Sequence, residues 1–264
     1  MRRILITIIA VIIASLPAAR APAQTLETET ARLLHRGWWK AGGAFETQTS
    51  SDGREVALPL LVEYGVTDRL ELLVEPVPYT AIRPSVGRDA TGAGDIELTG
   101  TALVHNEGRH TPAIAVAEEV KFPTAHDNLI GTGETDYTTY IIASKRFGRF
   151  DTHANLAYAI LGSPPGSKLQ NTWNGAFATV FRPTTRAEVI AEVLGNTAAS
   201  PEGEGEGMPG ETTPVPEAAG AELVGSIGAG AYVTPAWLLY GGVSYDNNNA
   251  TQLRIGVTIY ARRR

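Results

Sequence analysis

Between Gly94 and Gly162, apolar and polar residues alternate with a period of two, and no other feature of the 264-residue chain limits its fold as tightly. Ile96, Leu98, Gly100, Ala102 and Val104 stand against Asp95, Glu97, Thr99, Thr101 and Leu103. Successive side chains of a strand point to opposite faces, so this is a strand with one apolar face and one face of carboxylates and hydroxyls. The polar turn Asn106-Glu107-Gly108-Arg109 leads to a second strand, Pro112 to Phe122. A Gly-rich loop, Pro123 to Thr135, precedes a third strand that turns at Phe147-Gly148-Arg149. In the fourth, Phe150, Thr152, Ala154, Leu156, Tyr158 and Ile160 face away from Asp151, His153 and Asn155. Two tight hairpins joined by a long loop are the repeating unit.

The same unit extends in both directions. Upstream, Trp38 to Thr47, Val56 to Gly65 and Leu70 to Tyr79 read as strands, the last ending at a rim where Pro76 and Pro78 interrupt it. Residues 83–93 read as a long loop. Downstream come Thr172 to Arg182, Arg186 to Gly195, Glu222 to Val233, Trp237 to Tyr245 and Gln252 to Tyr260. The connections near residues 67, 106, 147, 184 and 235 are short, while those near 50, 87, 128, 165, 209 and 248 tend to be longer and more polar. Long loops at one end and tight turns at the other, with an even strand count, predict an antiparallel up-and-down transmembrane β-barrel of about twelve strands. Strands of about ten residues match a tilted bilayer crossing. A periplasmic β-sandwich is the rival fold, but it would leave strand edges bare and would not need the alternation of loop lengths.

The ends of the chain fit export. Arg2 and Arg3 precede an apolar run, Ile4 to Leu16, and then Ala21-Pro22-Ala23, the layout of a secretory signal peptide over residues 1–23. The run is short of the ~20 apolar residues of a spanning helix. Residues 24–36 read as a short periplasmic lead-in and 37–264 as the barrel. Within it, the Gly-, Glu- and Pro-rich stretch 199–219 cannot support a core and reads as a mobile extracellular loop. Losing the leader removes three arginines and no acid, so the net charge of −6 becomes −9. An acidic chain argues against nucleic acid as a partner. With no cysteine, neither disulfides nor thiolate metal sites are available. Trp38, Trp39, Trp173, Trp237, Tyr79, Tyr240 and Tyr260 fall near strand ends, where interfacial aromatic girdles belong.

The segments GAGDIELTG (Gly92 to Gly100), VKFPTA (Val120 to Ala125), GTGETDY (Gly131 to Tyr137) and SKRFGRFDTHANLAY (Ser144 to Tyr158), with YGVTDRLEL upstream (Tyr64 to Leu72), carry a resemblance. Over residues 37–260 the chain resembles the outer-membrane barrel family called the MetA-pathway of phenol degradation family. That resemblance implies a transporter-like barrel in the bacterial outer membrane, associated with aromatic degradation and of undefined substrate. The chain departs from many outer-membrane barrels in following Tyr260 with Ala261-Arg262-Arg263-Arg264 in place of a terminal aromatic.

Charged side chains facing lipid cost up to a few kcal/mol, so their alternation identifies the lumen side. Glu71, Glu75, Asp95, Glu97, Glu119, Asp151, His153, Glu188 and Glu192 are the lumen-lining candidates, with Lys40, Lys121, Arg186 and Arg254 as counter-charges. They describe either a polar path for neutral or cationic solutes or a lumen filled by a salt-bridged network. Twelve strands give a backbone radius of roughly 12 Å, too narrow after side chains for a general porin. A channel for small solutes, aromatic or hydrophobic ones among them, fits better, gated by the loops near Asp89 and His126. The expected partners are outer-membrane lipids, the barrel-assembly machinery and a small-molecule solute, with no cofactor.

No close metal-ligand pair stands out among His105, His110, His126 and His153. A barrel hydrolase is one alternative, since His153-Ala154-Asn155 sets a histidine near an asparagine, but Ser144 and Ser163 are read as lying at opposite ends of the hairpin. A structural or surface-interaction barrel is the other.

Overall fold

The computed structural model describes residues 24–199 and 220–262. The expected leader, 1–23, and nearly all of the expected mobile loop, 199–219, lie outside them. The strands are β1 (Trp38–Thr49), β2 (Gly53–Ala57), β3 (Leu60–Thr67), β4 (Leu70–Pro76), β5 (Thr80–Pro84), β6 (Ala90–Gly92), β7 (Ile96–His105), β8 (Ala113–Phe122), β9 (Asp136–Phe147), β10 (Phe150–Ile160), β11 (Thr172–Phe181), β12 (Ala187–Asn196), β13 (Glu222–Thr234), β14 (Trp237–Asp246) and β15 (Thr251–Arg262).

Twelve of them form the wall. They pair antiparallel in the order β15-β14-β13-β12-β11-β10-β9-β8-β7-β4-β3-β1, and β1 pairs back onto β15. That seam runs from Trp38↔Arg262 to Thr49↔Thr251 without a break, so the sheet closes and has no edge around the ring. This is the expected twelve-stranded up-and-down barrel.

Three short strands extend the wall at the long-loop end. β2 continues the line of β3 beyond Leu58 and Pro59, β5 continues β4 beyond Val77, Pro78 and Tyr79, and β6 leads into β7 through residues 93–95. The Ala44 N–H donates to the Pro59 carbonyl (3.0 Å), Leu58 to Tyr79 (2.9 Å) and Gly94 to Val77 (2.8 Å), so the sheet is kinked but continuous. Proline has no N–H for the ladder, which explains breaks at one level in neighbouring strands. Pro76 and Pro78 therefore do not end the third strand at a rim. It resumes as β5, which runs into the stretch 83–93 that the sequence suggests is loop, and β6 lies wholly inside that stretch. The link 93–95 between β6 and β7 is met by the loop 123–135: Thr124 Oγ1 donates to the Gly94 carbonyl (3.1 Å), and the Ala125 N–H donates to Asp95 Oδ1 (2.9 Å).

The outside of the wall is apolar and uncovered by protein. Leu72, Leu98, Ile141, Leu156, Phe177, Ile227 and Leu239 are exposed, and Ile255 is 70 % exposed. An apolar surface encircling a closed barrel is what hydrocarbon covers. Paired aromatics mark both borders of this band. Trp39 with Tyr64 (4.2 Å between centroids) and Phe150 with Phe181 (4.8 Å) lie near the short turns, and Tyr158 with Trp173 (4.8 Å) near the long loops. Tyr240 and Tyr260 do not join them. Both are buried toward the lumen, and the Tyr240 ring occupies the space a side chain at Gly256 would need.

Candidate functional site

The lumen is not empty in its short-turn half. Residues 24–36, expected as a periplasmic lead-in ahead of the wall, run inside it. The reversal is made at Gly37, whose φ of +76° suits glycine, and is closed by the Trp38 N–H donating to the His35 carbonyl (3.0 Å). From there the chain passes so close over Gly65 that a Cβ there would strike the His35 carbonyl, while the Gly37 N–H donates to the Gly65 carbonyl (2.8 Å). No helix forms in this strap. Many of its backbone N–H groups are satisfied from the wall instead, as buried peptide groups must be.

The anchors can be followed along the strap. The Leu34 N–H donates to Glu71. Arg32 bridges Asp151 (2.9 Å) and Glu107 (2.6 Å). The Ala31 N–H donates to Ser144 Oγ (2.9 Å), and Glu29 exchanges backbone bonds with the Asn155 amide (2.8 and 2.9 Å). Leu26 and Glu27 N–H groups donate to the two oxygens of Glu192 (2.6 and 3.0 Å), and Glu27 pairs with Arg254. Apolar strap residues meet apolar inward positions: Ala31 and Leu33 pack on Ala113, Ala115, Ala117 and Ile142, and Leu26 on Val180 and Ile190. Alanines and isoleucines pointing into a barrel would be out of place in a water-filled pore. Under a strap they form its bed.

Two acids illustrate the electrostatics outside the spanning strands. Burial pushes the Glu29 carboxyl up to about 7, with Glu63 adding to the rise, Lys40 opposing it and Glu119 adding again. Burial acts the same way on Glu107, but the Arg146 backbone N–H, Lys145 and Arg32 outweigh it and hold that carboxyl below its ordinary value.

The remaining candidates sort by height. Lys40 pairs with Glu63 (2.8 Å), Arg182 with Glu188 (3.3 Å) and Arg254 with Glu46 (2.6 Å). Lys121 pairs with Asp136 and stands 3.8 Å from Asp95, and Tyr140 donates to Glu119 (3.1 Å). Glu75 and Glu97 are register partners on β4 and β7 and are half-buried. Arg186 is exposed at the short-turn rim, apart from the acids it was expected to balance. Ser144, expected far from His153, is its register partner across β9 and β10. Ser144 Oγ and His153 Nδ1 lie 2.8 Å apart, both fully buried. Pairing of strand residues nine positions apart across a tight turn was readable in principle by counting outward from Gly148.

Above the strap, toward the long loops, is a cavity of about 340 Å³ floored by Glu27. Its wall includes Gln48, Asn155, Asn174 and Gln252, together with the carboxylates Glu222 and Asp246. No lysine or arginine lines it. At the rim beyond, Arg88 clasps both oxygens of Asp127 (2.6 Å each), joining the loop after β5 to the loop after β8.

No protein-family model matches the chain, and neither does any curated protein sequence. Solved structures do. The COG4313 outer membrane channel from Pseudomonas putida F1 superposes with a TM-score of 0.67 at 10 % identity, over 89 % of this chain and 100 % of that one. The NanC porin gives 0.57 at 11 % identity, over 83 % and 98 %. The KdgM porin, solved in complex with disordered oligogalacturonate, gives 0.56 at 10 % identity over the same shares. The protein is a closed twelve-stranded β-barrel with the fold of these outer-membrane channels and porins, and its apolar girdle belongs in a bacterial outer membrane.

Proposed function

We propose that the protein is a passive outer-membrane channel for uptake or efflux of small solutes, aromatic or hydrophobic ones among them, in the manner that its resemblance to the MetA-pathway family implies. The observation that carries this reading is the filling of the lumen. A strap held only by non-covalent contacts narrows the short-turn half, while an amide- and carboxylate-lined cavity stays open above it. Neutral and cationic solutes are favoured in that cavity. Conduction of anything larger requires the strap to shift. The Arg88–Asp127 clasp supports loop gating at the outer rim. The Ser144–His153 pair is read as an anchor, because Ser144 Oγ accepts the strap's Ala31 N–H and no solvent reaches it. Lipids of the outer membrane and the barrel-assembly machinery are the partners this reading requires.

Liposome swelling with a graded panel of sugars and small aromatics tests it, on the full barrel and on one lacking residues 24–36. Slow permeation that rises sharply on deletion supports the channel. Equal impermeability of both would leave a structural barrel as the better description.

A further inference from the structure

At the opposite end, below the strap, three short turns enclose a cavity of about 680 Å³. Its lining includes four arginines: Arg146, Arg149, Arg182 and Arg186. We propose that this mouth is a binding site for an oxyanion, a phosphate or carboxylate group, approaching from the short-turn side.

The charge balance argues for it. Asp151 is the one carboxylate lining the cavity, and it already serves Arg32 (2.9 Å) as well as Arg146 (2.7 Å). Arg182 reaches the buried Glu188 (3.3 Å). Among the described residues, Arg149 is held by the Pro183 carbonyl (3.1 Å), and neither it nor Arg186 has a carboxylate partner. Two guanidinium charges therefore stand uncompensated in a chain whose formal net charge is −6. Guanidinium presents its donors in a planar fork that fits phosphate and carboxylate oxygens two at a time. Thr184, Thr185 and Thr234 add hydroxyl donors around the same space. The contrast with the upper cavity fixes the direction of approach, because an anion arriving from the long-loop end would have to pass Glu222, Asp246 and Glu27. The site does not depend on whether the lumen conducts.

Titration calorimetry of inorganic phosphate into the folded barrel, in zwitterionic detergent at low salt, tests the site. Saturable binding is expected. Arg149→Gln with Arg186→Gln should weaken it about tenfold or more, a change of ~1.4 kcal/mol. Arg54→Gln with Arg83→Gln, which removes equal charge at the other end, should leave it unchanged. Folding is followed by the heat-dependent gel shift. A measurement without variants runs alongside: phosphate should slow phenylglyoxal modification of Arg149 and Arg186 in the native chain, read by mass spectrometry. Nanodiscs with and without phosphatidylglycerol then identify the source of the group. Weakened phosphate binding in the anionic discs assigns the site to a lipid headgroup, and unchanged binding assigns it to a free solute. Absence of saturable binding, or equal loss in the control pair, overturns the proposal.

Discussion

The two halves of the lumen are built from the same wall yet filled in opposite ways. In the short-turn half, inward alanines, isoleucines and paired acids face a strap that satisfies them. In the long-loop half, amides and the carboxylates of Glu222 and Asp246, which have no cationic partner among the described residues, line an open cavity. A barrel's inner face is therefore not uniformly a pore lining. Where inward side chains are apolar or fully paired, the lumen is closed packing. Where they are polar and half-exposed, it is available to solute.

The comparison is broken most severely at Asp151, which is 2 % exposed and bridges the strap's Arg32 to the wall's Arg146. Asp151→Ala removes the buried carboxylate that two guanidinium groups share, leaving Arg32 with Glu107 alone, and should cost roughly 3–5 kcal/mol of stability, measured by urea unfolding in detergent. An equal truncation above the strap, Asn174→Ala, should change stability little. If the two behave alike, the halves do not differ as described. Next in size is a change on the wall's outer face. Leu98→Arg puts a charge into hydrocarbon and should cost roughly 2–4 kcal/mol near the midplane, whereas Glu97→Gln on the same strand stays hydrated and should cost far less.

The wall was largely legible in the sequence, because period-two alternation and turn length are local properties. Leu98 outward and Glu97 inward follow from it, as does the pairing of tight and long connections. The strap was not. Residues 24–36 show no alternation, and their structure depends on Glu71, Asp151, Asn155 and Glu192, which lie far along the chain. One signal was present: more inward carboxylates than inward cations, some of which are answered by backbone N–H groups of the strap. The kinked upper strands were missed for a different reason. Proline was read as an end, while here it interrupts a strand whose neighbours are interrupted at the same level.

A smaller effect concerns pH. Glu29 has its carboxyl raised to about 7 by burial, so the seated strap favours the protonated acid. That preference is fully present below the ordinary carboxylate range and is lost as pH rises through about 7. Conductance in planar bilayers should therefore increase modestly between pH 6 and 8.5, values chosen to be about one unit or more either side of that point, and Glu29→Gln should flatten the response. A flat or inverted response over this window would mean that Glu29 does not govern the strap, since Glu107, whose carboxyl is lowered, stays ionised throughout it. The smallest expected change is at the outer rim. Arg88→Ala opens an exposed clasp, so stability should hold while single-channel current noise rises, more so at low salt than at high.

Arg254 has one more consequence, for the order of assembly. Its guanidinium meets Glu46 across the closing seam and Glu27 of the strap at once. The seam joins the first and last strands of the chain, partners more than two hundred positions apart, so it is the costliest ring closure in the fold and the natural last step. A nascent barrel whose strap has not yet seated brings its ends together with one carboxylate of that staple missing. Seating and zipping thus share a guanidinium, which couples the segment filling the finished barrel to the seam that closes it.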